Sequence, residues 1–166
     1  MSEPQEGKVV SASRVKLAQL MQPNQANNHG NVHGGWIMKL VDEVGALACM
    51  RHAGRRVVTV AVDQMMFRQP IHIGDLVILT AEVSYVGRTS MEAEVLVAAE
   101  NPLTGECTYT NTAYLVYVAL DADDHPAEVP PLIPENEDHR LRMEEGRARQ
   151  EYRISQTRRK TTPHSE

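Results

Sequence analysis

The sequence predicts an α+β domain in which one long antiparallel sheet packs against a single helix. One apolar pattern with a helical period runs from Trp36 to Ala53. Four long runs rich in β-branched residues follow it, and short turn segments separate them. Short links join antiparallel neighbours, whereas parallel neighbours need a crossover of about a dozen residues. We therefore expect one antiparallel sheet whose helix-facing side buries the core.

The first half of the chain contributes one strand and the helix. Weak alternation between Ser11 and Met21 predicts the strand. Apolar residues that recur at helical spacing, without an intervening proline, predict the helix: Ile37, Leu40, Val41, Val44, Leu47, Ala48 and Met50. Gly54 follows at the position where a left-handed residue commonly ends a helix.

Four strands of similar length are predicted after the helix. Their ranges are Val57 to Phe67, Leu76 to Val86, Thr89 to Ala99 and Thr108 to Leu120. The breaks between them carry turn residues, namely Pro70 with Gly74-Asp75, then Val86-Gly87-Arg88, then N-P-L-T-G at 101–105. We assign residues 11–123 to this domain.

Composition changes abruptly after the last predicted strand. Residues 124–135 contain Pro126, Pro130, Pro131 and Pro134, which predicts an extended linker. Residues 136–166 are highly charged and predict a helix from Asn136 to about Tyr152. A flexible, solvated tail containing Arg158-Arg159-Lys160 is expected to follow.

Overall composition argues against several classes of protein. The 166 residues are 42% hydrophobic and 23% charged, which suits one globular domain. The net charge of −5 gives no general attraction for nucleic acid. We expect a cytoplasmic protein without a membrane partner, because a secretory pattern and an apolar stretch of about 18 residues are both lacking. Cys49 and Cys107 are expected to be reduced.

Asp42 is the candidate catalytic acid. It lies within an apolar helix, where removing a carboxylate from water is costly. The helical period places it on one stripe with the small residues Gly35 and Gly45. Alternatively, Lys39, Asp42 and Glu43 form one solvated face held by ion pairs one turn apart. Spacing alone leaves both interpretations open.

Gly34 and Gly35 lie where the first turn of this helix is expected. Backbone amides there lack intrahelical acceptors and the helix dipole is positive. A carbonyl oxygen that gains negative charge is stabilised at such a place by roughly 3 kcal/mol per well-placed donor. A plain tight turn accounts for two glycines equally well.

Other catalytic motifs fit the sequence less well. The glycine spacing matches neither a dinucleotide-binding loop nor a phosphate-binding loop, and the nucleophile elbow of serine hydrolases is missing. His29 and His33 lie four residues apart in a loop without the further ligands of a zinc site. We therefore expect neither a metal nor a cofactor.

Several motifs, taken in order, resemble the acyl-CoA thioesterases of the hotdog fold. The run N-x-x-G-N-V-H-G-G-x-I-M-K-L-V-D-E extends from Asn27 to Glu43. Later matches are V-V-T-V-A-V-D from Val57, F-R-Q-P-I from Phe67, G-R-T-S-M-E from Gly87 and T-A-Y-L-V-Y-V-A-L-D from Thr112. The resemblance covers about residues 11–123 and implies a long antiparallel sheet wrapped around one central helix.

The resemblance also implies hydrolysis of acyl-CoA to a free carboxylic acid and CoA, in a site shared by two copies of the chain. Asn27 of one copy is expected to position a water molecule, and Asp42 of the other to deprotonate it. Direct attack by Asp42 to give a mixed anhydride is the alternative. The Gly35 amide, with Gly34, is expected to polarise the thioester carbonyl.

Substrate contacts are implied at a further set of positions. They are His33, Gly34, Val60, Ala61, Val62, Arg88, Thr89, Ser90 and Met91. For residues 60–62 a plain buried strand is the simpler explanation. The phosphate groups of CoA have four candidate partners, Arg51, Arg55, Arg56 and Arg88.

Two other functions and one assembly follow from the same residues. A non-catalytic acyl-CoA sensor is favoured by the charged C-terminal segment, and an enoyl-CoA hydratase or dehydratase by His33 near an acid. Because each chain holds half of the implied site, we expect a homodimer as the catalytic unit. The resemblance implies a trimer of such dimers.

Overall fold

The computed structural model describes residues 5–160, with side chains to residue 157. Its strands are β1 (Lys8–Val9), β2 (Val15–Leu20), β3 (Arg56–Phe67), β4 (Leu76–Val86), β5 (Ser90–Glu100), β6 (Cys107–Leu120) and β7 (Leu132–Ile133). Its α-helices are α1 (Gly34–Ala53) and α2 (Glu137–Lys160), and 3₁₀ turns occupy Val10–Ser13 and Pro23–Gln25.

Five strands form one antiparallel sheet in the order β2-β4-β5-β6-β3. Successive side chains of a strand point to opposite faces, so alternate residues of β4, β5 and β6 reach α1. These include Val77, Leu79, Val95, Val97, Leu115 and Tyr117, which are fully buried with Ile37, Val41 and Val44 of the helix. The predicted fold class, a long antiparallel sheet around one helix, is confirmed.

The helix α1 begins two residues earlier than its apolar pattern predicts. His33 is its N-cap, and the Nδ1 atom of His33 accepts a hydrogen bond from the Gly35 amide. At the other end Gly54 has φ of 65°, as predicted, and its amide donates to the Met50 carbonyl. The ammonium of Lys8 lies 2.7 Å from the His52 carbonyl oxygen and satisfies one of the last carbonyls.

The first predicted strand is shorter than expected. The segment 10–13 forms a 3₁₀ turn, and β2 begins only at Val15. The hydroxyl of Ser13 explains the difference, because it donates to the Val10 carbonyl at 2.7 Å and accepts from the Val83 amide at 2.9 Å. This side chain replaces backbone pairing at the start of the strand.

β3 is the edge strand beside β6, and no strand of residues 5–160 pairs with its outer edge. Its pairing with β6 shifts register at Val60 and again at Asp63, which marks two bulges. Several large apolar side chains of β3 are about half exposed: Val58, Val60, Val62, Met66 and Phe67. Residues 60–62 therefore do not form the buried strand of the simpler explanation.

The segment 124–135 is packed rather than extended into solvent. Leu132 and Ile133 pair in parallel with Lys8 and Val9, and Val129 is buried with Leu132. A proline-rich composition does not reveal these contacts, because they depend on the distant N-terminal residues. The division of the chain at residue 124 stays a prediction.

The helix α2 extends beyond the expected end near Tyr152, to Lys160. It crosses the sheet face opposite α1, where its arginines meet buried carboxylates of the strands. These contacts, which no local pattern reveals, hold the helix on the sheet. Residues 161–166, predicted to fray, lie outside the described residues. Within residues 5–160, neither helix has the length and apolar character needed to cross a membrane.

Candidate active site

Asp42 lies partly buried on the side of α1 that faces β3 and β6. Its Oδ1 atom accepts a hydrogen bond of 2.7 Å from the Thr59 hydroxyl and lies 3.2 Å from the Tyr117 hydroxyl. The Tyr117 hydroxyl is also 2.9 Å from the backbone carbonyl oxygen of Asp42. Among the described residues, Oδ2 has no hydrogen-bond partner. The carboxylate is thus held through one oxygen while the other is available to accept a proton.

The structure separates Asp42 from its charged neighbours. Lys39 and Glu43 form an exposed ion pair of 2.6 Å on the outer side of α1. Asp42 takes no part in it and faces the strands instead. The interpretation of all three residues as one solvated face is therefore wrong for Asp42.

Among the described residues, the N-terminal turn of α1 (the helix mouth) offers one free amide donor. It is the Gly34 amide rather than the expected Gly35 amide. The Gly35 amide donates to Nδ1 of His33 at 2.9 Å. The Gly34 amide has no acceptor among the described residues. In this state Gly34, rather than Gly35, can donate to a carbonyl oxygen. His33 must turn away before the Gly35 amide becomes available.

Asn27 and Gly34 line one cavity of about 300 Å³ beside the helix mouth, with Ile37, Phe67 and Arg68 among its other walls. The Oδ1 atom of Asn27 accepts from the amides of His29 and Asn31, at 2.9 and 3.2 Å. Its loop therefore fixes the carboxamide through the oxygen. The Nδ2 group has no acceptor among the described residues and is the donor that Asn27 can offer.

A single chain does not bring Asp42 to this cavity. Asp42 is absent from its walls, and the helical rise puts Asp42 about 10 Å along α1 from Gly35. The candidate residues thus form two clusters, a mouth cluster of Asn27 and Gly34 and an acid cluster of Asp42, Thr59 and Tyr117. Both border β3, which carries Phe67 near the first cluster and Thr59 in the second.

The expected substrate contacts are distributed unevenly. Val60 and Val62 are exposed on the β3 edge, with Ala61 half-buried between them. Thr89 lies in the β4–β5 turn and Ser90 begins β5, and their carbonyls accept from the Ala119 and Gly87 amides, respectively.

The side chain of Met91 is 1% exposed and belongs to the core. Only its backbone is left to contact a ligand.

The arginines considered for phosphate binding are all exposed. Arg56 pairs with Asp124 at 2.8 Å, and Arg88 is 3.6 Å from Glu128. Arg51 donates to the carbonyl of Arg14. These partners are solvent-exposed, so an anionic ligand can replace them at low cost.

Thr59 and Tyr117 are site residues that the sequence reasoning missed. Thr59 lies inside the apolar run V-V-T-V, and Tyr117 inside L-V-Y-V, where both pass for ordinary strand residues. The available signal was alternation: it puts both hydroxyls on the helix-facing side of their strands, and a buried hydroxyl such as that of Tyr117 needs a polar partner. Asp42 is that partner for both.

A larger cavity, of about 610 Å³, lies on the opposite face of the sheet beside α2. Two of its basic side chains, Arg14 and Arg142, are already paired with the buried carboxylates Glu82 and Glu94. Its walls include neither Asp42 nor the helix mouth. The smaller cavity is therefore the one connected with the candidate chemistry.

Known proteins share both this sequence pattern and this fold. A family model for the thioesterase superfamily matches residues 29–106. The cytosolic acyl coenzyme A thioester hydrolase of Rattus norvegicus is 37% identical over 146 residues, which are 87% of this chain and 38% of the rat protein. The chain thus spans well under half the length of that relative.

Solved structures agree over nearly the whole chain. A hexameric acyl-CoA thioesterase without ligand has a TM-score of 0.88 and 35% identity, over 92% of this chain and 98% of that one. The acyl-CoA hydrolase of Staphylococcus aureus, in complex with butyryl coenzyme A and coenzyme A, has a TM-score of 0.85 and 31% identity, over 92% and 93%. This chain therefore belongs to the hotdog-fold acyl-CoA thioesterases of the thioesterase superfamily.

Proposed function

We propose that this chain hydrolyses acyl-CoA thioesters to a carboxylic acid and CoA, with Asp42 as the general base. The observation that carries the proposal is the Asp42 carboxylate, which two hydroxyls orient through Oδ1 and whose Oδ2 has no partner in the described part of the chain. A carboxylate fixed in this way can take a proton from water without losing its position.

The S. aureus relative supports this choice of residues. Its solved structures include variants in which an asparagine, an aspartate or a threonine is replaced by alanine. Those three positions have the same spacing along that chain as Asn27, Asp42 and Thr59 have in this one. The match supports the proposal that Thr59 acts with the two residues that the sequence motif already indicated.

The complete site is proposed to form between two copies. The unpaired edge of β3 carries a row of apolar side chains, which favours pairing with another chain. Two-fold pairing along this edge brings the mouth cluster of one copy toward the acid cluster of the other. The hexameric relative supports the further proposal of a trimer of such dimers.

The chemistry then follows from the two clusters. The Nδ2 group of Asn27 donates to a water molecule, and Asp42 of the other copy removes its proton as the oxygen attacks the thioester carbon. The Gly34 amide stabilises the negative oxygen, joined by the Gly35 amide once His33 has turned away. The carbon–sulfur bond breaks, and the thiolate of CoA leaves and takes up a proton.

The rest of the substrate is proposed to lie along β3 and the β4–β5 turn. Val60 to Val62 border the pantetheine arm, and Thr89 and Ser90 lie toward the nucleotide end. Arg56 and Arg88 are exposed cations that can exchange their carboxylate partners for CoA phosphates. A cytoplasmic location stays a prediction, favoured by the name of the rat relative.

The test measures thiol release from a panel of acyl-CoAs of graded length. We expect Asp42→Asn to lower kcat by about 10²- to 10⁴-fold, since it removes the base and keeps the shape. Glu43→Gln is the matched control, because Glu43 is the adjacent acid and is paired outward with Lys39. Wild-type turnover by a folded Asp42→Asn variant contradicts the mechanism. Tight acyl-CoA binding without turnover by the wild type indicates a sensor instead, and hydration of an enoyl-CoA indicates a hydratase.

A further inference from the structure

We propose that Tyr117 is a positioning residue for Asp42, and that turnover depends on its hydroxyl rather than on its ring. The inference rests on the proposed role of Asp42 as the base. Tyr117 lies on β6, far from Asp42 in sequence, and its hydroxyl contacts both the backbone and the side chain of that residue.

The hydroxyl holds Asp42 at two points. It lies 2.9 Å from the backbone carbonyl oxygen and 3.2 Å from Oδ1 of the carboxylate. A hydroxyl has one proton, so it divides its donation between these two oxygens. Oδ1 therefore stays on the strand side, where Thr59 also donates to it, and neither hydroxyl forms a hydrogen bond with Oδ2.

The environment keeps this hydroxyl a donor. Tyr117 is fully buried, and its burial, followed by the negative charge of Asp42, raises the pKa of its hydroxyl above the ordinary value. The group therefore keeps its proton throughout the physiological range. Its orientation changes little, because the ring is packed in the core.

The backbone of α1 is shaped to admit the hydroxyl. A Cβ atom at Gly45 would lie 2.5 Å from the Tyr117 hydroxyl oxygen and 3.2 Å from Cζ of the ring. Any larger residue at position 45 therefore displaces the hydroxyl or the helix. Gly45 lies almost one turn after Asp42. The space left by its missing side chain therefore also determines where along α1 the Tyr117 hydroxyl contacts Asp42.

Packing alone does not require these contacts. The carbonyl of Asp42 is already within reach of its helical partner, the Ala46 amide, and a phenylalanine ring fills the same core volume. The Tyr117 hydroxyl adds a second hydrogen bond to the Asp42 carboxylate, beside that from Thr59. The purely structural alternative is that Asp42 serves only to satisfy a buried hydroxyl.

The experiment compares two tyrosine variants on the same strand. Tyr117→Phe is expected to lower kcat about 10-fold and to leave KM within a factor of about two, because it loosens the base without touching the substrate. Tyr114→Phe is the matched control. The Tyr114 hydroxyl donates at 3.1 Å to Glu94, also a carboxylate, but on the opposite face of the sheet. We expect the control to keep the wild-type kcat.

A double-variant cycle separates positioning from stability. If Tyr117 acts through Asp42, adding Tyr117→Phe to Asp42→Asn produces no further loss in kcat. An equal loss in both backgrounds shows that the hydroxyl acts elsewhere and overturns the inference. Rates are taken well below the melting temperature of each variant, so that unfolding does not contribute.

Failure of this inference and failure of the proposed function have different signatures. Wild-type kcat in Tyr117→Phe, with Asp42→Asn inactive, overturns only the role of Tyr117. Wild-type kcat in both variants overturns the base itself. Gly45→Ala provides an independent variant that keeps the hydroxyl but displaces it, and it is expected to lower kcat as Tyr117→Phe does. A folded Gly45→Ala protein with wild-type kcat argues against the inference.

Discussion

The backbone amide of Gly35 donates a hydrogen bond of 2.9 Å to the Nδ1 atom of His33. This bond caps α1 and at the same time occupies the amide that the sequence motif assigns to the thioester carbonyl. Under the proposed mechanism, the substrate and His33 therefore compete for one donor, and capping of the helix opposes polarisation of the thioester carbonyl.

Replacing His33 tests this competition. We expect His33→Ala to lower the free energy of unfolding by about 1 kcal/mol, since it removes an N-cap. The ratio kcat/KM is expected to rise, because the Gly35 amide is released. His29→Ala, in the same loop, serves as the control with neither effect. A large fall in kcat/KM for His33→Ala would instead mean that this side chain contacts the substrate.

Subunit mixing tests the shared site. Asn27→Ala and Asp42→Ala are each expected to be inactive. After unfolding and refolding together in equal amounts, they should recover about a quarter of wild-type activity, because half of the dimers are hybrids with one intact site of two. Each variant refolded alone is the control. No recovery in the mixture, with hybrid dimers detected by mass, means that both residues act within one chain.

The edge of β3 is expected to carry the dimer contact. Val60→Asp places a charge on this edge and should convert the oligomer to an inactive monomer. Leu103→Asp is the matched control, because Leu103 is 93% exposed at the tip of the β5–β6 hairpin. Light scattering gives the mass of both variants. An unchanged mass for Val60→Asp rules out this edge as the contact.

The ion pairs beneath α2 are predicted to stabilise the fold unequally. Glu92 is 1% exposed, and its carboxylate accepts hydrogen bonds from Nη2 and Nε of Arg149, at 2.8 and 3.0 Å. Removing Arg149 leaves this buried charge with only the longer contact to Arg153, at 3.3 Å, and the Ser84 hydroxyl, so Arg149→Ala should cost about 3 kcal/mol. Lys39→Ala breaks the exposed pair with Glu43 and should cost less than about 0.5 kcal/mol.

Urea unfolding measures both changes. A further substitution, Glu92→Gln, should recover part of the loss in Arg149→Ala by removing the poorly compensated charge. Equal costs for the buried and exposed pairs would contradict the expected difference.

His52 is predicted to make stability depend on pH. It is 1% exposed, with Nε2 at 2.8 Å from the Pro130 carbonyl oxygen. Burial lowers its pKa below the ordinary value, the hydrogen bond to Pro130 opposes this shift, and the charge of Lys8 adds to it. The folded chain thus binds fewer protons than the unfolded chain once the pH falls below about 6.5. The stabilisation is complete above that pH and is lost progressively toward the lowered pKa.

Unfolding free energies at about pH 7.5 and pH 5.5 test this dependence. His52→Gln keeps a donor for the Pro130 carbonyl without a titrating ring, and should reduce the fall in stability between the two. The same fall in both proteins means that other groups cause it.

The sequence predicts most of the fold because local patterns determine it. The β-branched runs of β3 to β6 fix those strands to within one or two residues, and Gly54 fixes the end of α1. Contacts between distant segments are what the patterns miss. Arg149 reads as part of a solvated helix, yet it neutralises Glu92 on a strand distant in sequence.

The candidate site divides in the same way. Asp42, Gly34 and Asn27 are visible in one continuous motif, so their proximity in sequence reveals them. Tyr117 is not visible, because only the folded sheet brings it to Asp42. The burial of the Met91 side chain is likewise not visible in its motif, because only the folded sheet places that side chain in the core.

The unpaired edge of β3 also affects how a newly synthesised chain folds and associates. A protomer that has folded but not yet paired displays an apolar strand with unsatisfied backbone groups, which is a template for aggregation. Pairing of this edge with a second copy, as proposed, would cover the strand, so the yield of native protein should fall in very dilute refolding, where association is slow. Under the proposed assembly, association of two copies completes the fold as well as the active site.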